Sequence, residues 1–459
     1  MDTKKILLLN PPGTKLYIRD YYCSKVSKAD YLYQPADLLI LSGIIGERYT
    51  PILVDAMVSG FDTERCYRKI VSLSPDAIVF LTGAVSWQED SIFIERIKET
   101  INCPVIGTGD IFLENGEKIL RDHNFLDALL LDFTNNDIIH LISGDYDLLE
   151  NIIYRKADRI IKRSTTRKRG EGFEIPIPKH ELFTGRYTYP FVRRLPFATV
   201  LTDYGCPYKC SFCIMGKIGF KYRGVENVMY ELKHIKGLGY KEVYFNDQTF
   251  GAKRDRVLAI CNGMIKEGLG LGWVCWSRVD IIDEALLSTM KKAGCHTIMF
   301  GVETANDATL KAMRKGYDQR QITETFRLCK EKNVRTLATY LIGLPGEDRD
   351  DILGTLRFAI ELDSDYASFN VLVPRAGTDI RKSAVEARLI PDDLIEMDQS
   401  GTYAVMGNEF LTSEEVWELK EEAFKMFYNR PSYIWKRAKG IRSLYELKTL
   451  SKAGIKRFF

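Results

Sequence analysis

Short apolar runs of strand length alternate with helical stretches along most of this chain, and they do so in two series. The first comprises residues 6–10, 50–54, 77–82, 105–107 and 128–131. The second comprises residues 197–202, 242–245, 272–276, 297–301, 336–342 and 367–373, with helical stretches between them such as residues 283–293 before Gly294. This alternation marks α/β folds with parallel sheets, since a parallel crossover needs about a helix's length of chain. Residues 1–145 predict a doubly wound parallel sheet of Rossmann-like class, residues 146–195 a linker, residues 196–399 a second strand–helix unit, and residues 400–459 a helical C-terminal domain.

The loop after the first strand of the second series carries Cys206, Cys210 and Cys213, spaced Cys-x3-Cys-x2-Cys. Three thiolates on one tight loop suit three irons of a [4Fe-4S] cube, because soft sulfur ligands favour iron–sulfur clusters. No fourth cysteine is near in sequence, so one iron is left open to the amino and carboxylate groups of an amino acid. The alternatives are a zinc knuckle or three buried thiols. Zinc wants a fourth Cys or His within short reach, and the nearest downstream histidine is His234.

Composition narrows the class. A length of 459 residues suggests two or three domains, and 45% hydrophobic residues can fill sizeable cores. Ten cysteines in a chain this long are not a disulfide framework. The N-terminus enters a strand at once, without the apolar stretch of a signal peptide, and no run is long enough to span a membrane. These features predict a cytoplasmic enzyme, and an oxygen-poor setting suits an exposed cluster. A net charge of +3 is too small to imply nucleic acid.

In doubly wound sheets ligands bind beyond the carboxyl ends of the strands. In the first series those ends are Asn10-Pro11-Pro12-Gly-Thr14, Asp55-Ala-Met-Val-Ser-Gly60, Thr82-Gly-Ala-Val-Ser86-Trp87 and Gly107-Thr-Gly109-Asp110. No Gly-x-Gly-x-x-Gly turn is present, so no dinucleotide is expected. In the second series the strand ends give the cysteines, then Asn246-Asp247, Ser277-Arg278-Val-Asp280, Gly301-Val-Glu303-Thr304, Gly343-Leu-Pro-Gly346-Glu347 and Val373-Pro-Arg-Ala-Gly-Thr-Asp379.

The cysteine spacing followed by this order of strand ends resembles the radical S-adenosylmethionine (SAM) superfamily. The preceding segment, through Leu7-Leu-Leu-Asn-Pro-Pro12, Tyr33-Gln-Pro-Ala-Asp-Leu-Leu-Ile-Leu-Ser42, Val54-Asp-Ala56, residues 74–82 and Cys103-Pro-Val-Ile-Gly-Thr-Gly109, resembles the cobalamin-binding domain of its cobalamin-dependent branch. That branch usually carries Gly-Gly-Pro where this chain has Gly107-Thr-Gly-Asp110. The resemblance implies an open (β/α)6 partial TIM barrel, with a cluster that reductively cleaves SAM to a 5′-deoxyadenosyl radical. It implies SAM contacts from Phe212, Asp247, Arg278, Glu303, Gly343, Gly346 and Val373. In that reading Phe212 packs on adenine, Arg278 forks onto the methionyl carboxylate, and Glu303 and Asp247 accept from the amino group or ribose. The dull alternatives are a surface ion pair between Arg278 and Asp280 and an ordinary turn at Leu344-Pro-Gly346. Cobalamin, base-off and without a histidine ligand, is implied at Asn10, Pro11, Pro12, Asp55, Thr82, Ser86, Gly107 and Gly109.

The activity so implied is methylation of an unactivated carbon, with methylcobalamin as donor and a flavodoxin or ferredoxin as reductant. An unactivated C–H offers no acidity for a base, so hydrogen-atom abstraction by a primary alkyl radical is the workable route. A radical SAM cyclase or rearrangement enzyme, with or without cobalamin, shares the same motifs. An iron–sulfur redox sensor is the reading from another class. The substrate is not written in the sequence.

Two basic segments remain. Residues 154–169 hold eight Lys or Arg against one Asp, which reads as a solvated hairpin or as an anion-contacting patch. Near the C-terminus, Thr412-Ser-Glu-Glu415 is a capping-box pattern, and Pro431 ends the helix that follows. Residues 430–457 then carry nine Lys or Arg against one Glu, interleaved with Tyr433, Trp435, Leu444 and Tyr445 and followed by Phe458. This segment either closes the open side of the barrel or makes a peripheral patch for a membrane surface or an anionic substrate.

Overall fold

The computed structural model describes residues 3–21, 23–157, 159–164, 171–394, 398, 403–441 and 445–447. Of the basic segments, Asp158, residues 165–169, residues 442–444, residues 448–457 and Phe458 lie outside the described residues. The chain divides into two compact units, Met1–Lys168 with Phe173–Thr188, and Arg169–Gly172 with Tyr189–Phe459.

The first unit is built on a seven-stranded sheet. Its parallel part runs, in spatial order, Thr50–Asp55, Lys5–Asn10, Ala77–Thr82, Val105–Gly109 and Ala128–Leu130. Ile6 to Leu9 and Ala77 to Leu81 are fully buried, as expected for strands covered on both faces. The order reverses at Lys5–Asn10, which has the second strand on one side and the third on the other. That switch point is where such sheets open a crevice. Beyond Ala128–Leu130 the stretch read as a linker adds two antiparallel strands, Asn151–Lys156 and Arg159–Ser164. The sheet is therefore mixed at this edge. Arg159, Lys162, Arg163 and Ser164 are largely solvated there, an ordinary way to blunt an edge strand.

In the second unit six parallel strands pair strictly in chain order: Phe197–Val200, Glu242–Phe245, Gly272–Ser277, Cys295–Glu303, Arg335–Ile342 and Tyr366–Val371. The first and last do not pair, so the barrel is open. Val243, Phe245, Trp273, Cys275, Ile298, Phe300, Ala338, Tyr340 and Phe369 point outward into one core shared with the surrounding helices. The opposite alternate positions face the lumen.

The expected capping box is present at Thr412 and Glu415, starting the helix Ser413–Tyr428. Val416, Leu419, Ala423 and Phe427 of this helix belong to the barrel core, and Tyr428 bonds both the Ala367 N–H and its carbonyl. Pro431 does more than end it. It opens a further helix, Pro431–Gly440, where its missing N–H is harmless at the first turn. Lys436 pairs with Asp363 at 2.9 Å and Arg437 donates to the Tyr366 hydroxyl at 2.7 Å, so part of the basic segment braces the last strand. No helix among the described residues is long and apolar enough to cross a membrane.

Candidate active site

The cysteine loop leaves the first barrel strand over a buried carboxylate. Asp247, at the end of the second strand, accepts from the Thr202 N–H at 2.5 Å, the Thr202 hydroxyl at 2.5 Å and the Asp203 N–H at 2.9 Å. Asp203 pairs with Arg256 at 2.8 Å, and Arg256 also holds the Thr202 and Arg223 carbonyls. Burial, with Asp247 beside it, pushes the Asp203 carboxyl up, and Arg256 opposes the shift. Asp247 is thus committed to anchoring the loop.

The loop then turns through a short antiparallel pair, Asp203–Gly205 with Phe220–Arg223. Gly205 has φ +75° and lies so close to the Gly219 carbonyl that a side chain there would clash with backbone. The Cys206 N–H bonds the Gly219 carbonyl, the Cys213 N–H bonds the Cys210 carbonyl, and the Ser211 N–H bonds the Met313 carbonyl. These ties fix the loop at both ends and in the middle.

All three cysteines are free thiols, Cys206 buried and Cys210 and Cys213 partly exposed. Burial pushes the Cys206 thiol up and that of Cys213 up to about 12. As bare thiols Cys206 and Cys213 hold their protons, and a bound metal would displace them. Among the described residues no three His, Cys, Asp or Glu side chains converge on a site for a single ion. A cube presents its irons at separate corners and needs no such convergence.

Two buried cations adjoin the loop. Arg278, at the end of the third strand, makes a fork with Asp280 through Nε at 2.9 Å and Nη2 at 2.8 Å. Nη2 also reaches the Lys315 carbonyl, and Nη1 lies 3.9 Å from the Cys210 sulfur. The guanidinium sits 3.7 Å from the Tyr208 ring and 5.0 Å from that of Tyr317. Burial alone would lower its pKa, but Asp280 more than offsets that and holds it above the ordinary value. Lys315 meets Glu303 at 2.9 Å and lies 5.5 Å from the Phe212 ring. Burial works against its charge too, and the Glu303 carboxylate raises it well above the usual lysine range. Glu303 has φ +69°, a strained conformation for a residue with a side chain, and the bare Gly301 leaves room for its carboxylate.

Cys206, Cys210, Cys213, Phe212, Arg278 and Glu303 are therefore brought together. Three other expected SAM contacts stand differently. The Val373 side chain belongs to the outer core. Gly343, with φ +84°, makes room for Val416, which an added Cβ would meet at 2.9 Å. Gly346 is open, and its N–H donates to Glu409 at 3.0 Å. Lys315, Tyr208, Tyr317 and Thr249, whose hydroxyl lies 3.5 Å from the Cys206 sulfur, escaped sequence reasoning. Tyr208 stands between two of the cysteines and was legible by position, whereas Met313-Arg-Lys-Gly316 ends no strand and gave no signal.

At the carboxyl ends of the first unit's sheet the polar groups are joined to one another. Arg19 is buried in a bidentate pair with Asp90, at 2.9 and 2.6 Å, and donates to Asn10 and to the carbonyls of Pro11 and Pro12. Thr82 and Ser86 donate to Asp90, each at 2.7 Å. Asp55 accepts from Asn10 at 3.0 Å and from Tyr187 at 2.9 Å. Gly107 faces the Phe112 ring, and Gly109 packs against the Thr82 carbonyl. Gly13, Val85 and Leu113 stay partly exposed at the rim.

Residues 200–359 match the family model described as the radical SAM superfamily. An uncharacterized methyltransferase of Pyrococcus horikoshii is 28% identical over 451 residues, covering 95% of each chain. An anaerobic magnesium-protoporphyrin IX monomethyl ester cyclase of Rubrivivax gelatinosus is 23% identical, over 80% of this chain and 69% of its own. Among solved structures, the radical SAM methyltransferase TsrM of Kitasatospora setae, with cobalamin and a [4Fe-4S] cluster bound, aligns with a TM-score of 0.70 at 16% identity, over 94% of this chain and 90% of that one. The cobalamin-dependent radical enzyme OxsB, with aqua-cobalamin and SAM bound, aligns with a TM-score of 0.70 at 15% identity, over 99% and 71%. At these identities the structural likeness is one of fold. The cysteine-bearing loop at the head of the open barrel lies within residues 200–359, the part of the chain that is similar to the radical SAM superfamily.

Proposed function

We propose that the chain is a cobalamin-dependent radical SAM methyltransferase that acts on an unactivated carbon. The observation that carries this reading is the gathering of three free thiols with buried Arg278, Lys315 and Glu303, in a chain sharing its fold over nearly its whole length with TsrM and OxsB. Cys206, Cys210 and Cys213 would hold a [4Fe-4S] cluster, which supplies the single electron that breaks a sulfonium carbon–sulfur bond of SAM. Phe212 offers an apolar face to adenine, and Glu303, oriented by Lys315, offers a carboxylate to the amino group or ribose. A flavodoxin or ferredoxin is the class of reductant that suits such a site.

The first unit fits cobalamin at its rim rather than within. The buried carboxylates of Asp90 and Asp55 are already bonded, while Gly13, Val85 and Leu113 remain partly open around the switch point. Cobalamin there would serve as a methyl carrier. The Arg19 network would keep the strand ends rigid beneath it and exclude water from the sheet edge.

Anaerobic reconstitution tests the proposal. The expected result is about four irons and four sulfides per chain, roughly one base-off cobalamin by absorption and EPR spectroscopy, and 5′-deoxyadenosine released from SAM on reduction. A protein that takes up the cluster but no cobalamin overturns the methyltransferase reading. The likeness to the Rubrivivax gelatinosus cyclase favours a second reading, a radical cyclase or rearrangement. SAM with a deuterated methyl group separates the two, since only a methyltransferase passes that label to product. Comparing the metabolites of a deletion strain and its parent would supply the substrate.

A further inference from the structure

An arginine that is to clamp a carboxylate must present the two parallel N–H groups of its fork. In Arg278 that edge is taken, since Nε and Nη2 both donate to Asp280 and Nη2 also donates to the Lys315 carbonyl. The nitrogen left over, Nη1, points at the Cys210 sulfur from 3.9 Å, within range of an N–H···S hydrogen bond. The whole group is 7% exposed, and the Tyr208 ring lies over it at 3.7 Å. Tyr208 belongs to the cysteine loop itself, two residues from Cys206 and two from Cys210, so the loop holds the guanidinium with its own aromatic residue.

We propose that Arg278 is a positioning and tuning residue for the cluster: it donates a hydrogen bond to the Cys210 sulfur and raises the cluster's reduction potential, while Asp280 sets its orientation. Reduction adds negative charge that spreads onto the cluster's sulfurs, and a fixed, desolvated N–H donor stabilises that state more than the oxidised one. Asp280 opposes part of the effect by lending the guanidinium a compensating charge, so the two residues act with opposite sign. The pair gives the chain a means of setting how strong a reductant is needed before SAM is cleaved.

This inference rests on the reading that the three cysteines hold a cluster. The test is an EPR-monitored redox titration of the reconstituted holoenzyme without SAM, together with SAM affinity by equilibrium dialysis. Arg278→Gln is expected to shift the midpoint to lower potential, and Arg278→Lys, which keeps a charge but loses the planar donor, to shift it less. Asp280→Asn, at a more exposed site, is expected to shift it upward. A midpoint indifferent to all three substitutions, with SAM affinity falling in the Arg278 variants, overturns the proposal in favour of a carboxylate clamp. Should Arg278→Gln hold no cluster, the Asp280→Asn midpoint decides alone, and an unchanged value counts against the proposal. Wild-type protein that assembles no cluster instead overturns the functional reading beneath it.

Discussion

Both main sheets gather charged side chains beyond the carboxyl ends of their parallel strands, yet the two ends are built differently. In the first unit Arg19 and Asp90 are fully buried, and the hydrogen-bonding groups of Asn10, Asp55, Thr82 and Ser86 join or adjoin that pair. In the second unit buried Arg278 pairs with the more exposed Asp280, and Lys315 and Glu303 form a buried ion pair, and these charges adjoin a loop of three thiols. A strand-end network that satisfies itself gives rigidity. One that sets buried charges around a loop of three thiols makes a site.

The largest expected effect lies at the thiols. Changing Cys206, Cys210 and Cys213 together to Ala should abolish iron and sulfide uptake while leaving the far-UV circular dichroism unchanged. Iron retained at wild-type level in this variant would remove the contrast between the two sheet ends.

The first unit should respond through stability instead. Arg19→Ala strands a buried Asp90 carboxylate and the acceptors around it, which should cost about 3–5 kcal/mol in urea unfolding. A loss below about 1 kcal/mol would show that the network is not what holds these strand ends.

A smaller effect separates the fifth barrel strand end from its neighbours. Burial pushes the Glu347 carboxyl up to about 7, against the lowering effect of its hydrogen bond from Thr304 at 2.6 Å. A carboxyl whose folded pKa is raised stabilises the protein below its unfolded value near 4.5, and that contribution is lost as pH rises towards 7. Glu347→Gln should remove this pH dependence, worth at most about 3 kcal/mol. Parallel stability curves for the two proteins between pH 4.5 and 7 would show that Glu347 ionises normally.

The smallest effect is expected at the C-terminal helix. Ile434 and Trp435 are exposed on Pro431–Gly440, but Lys436 and Arg437 are engaged with Asp363, Asp365 and Tyr366. Flotation with anionic vesicles should therefore show little binding, and truncation before Pro431 should lower the melting temperature. Saturable, salt-sensitive binding that is lost on truncation would assign this helix to a membrane surface.

Much of the scaffold was legible because strand periodicity and capping are local. The strand Ala77–Thr82, the strand Glu242–Phe245 and the Thr412–Glu415 box follow from neighbouring residues alone. The Cys-x3-Cys-x2-Cys spacing was likewise readable, since three ligands on one loop need no distant partner. The pairing of side chains was not. Arg19 lies 71 positions from Asp90, and Asp247 lies 45 from Thr202. Arg278 met one nearby partner, Asp280, while its other contacts came from the cysteine loop and from Lys315, 37 positions on. Periodicity records which way a residue faces. Which charge it then meets depends on burial and on the crossing of strands far apart in the chain, so only the tertiary structure turned a list of strand-end residues into a committed network at one sheet and a thiol site at the other.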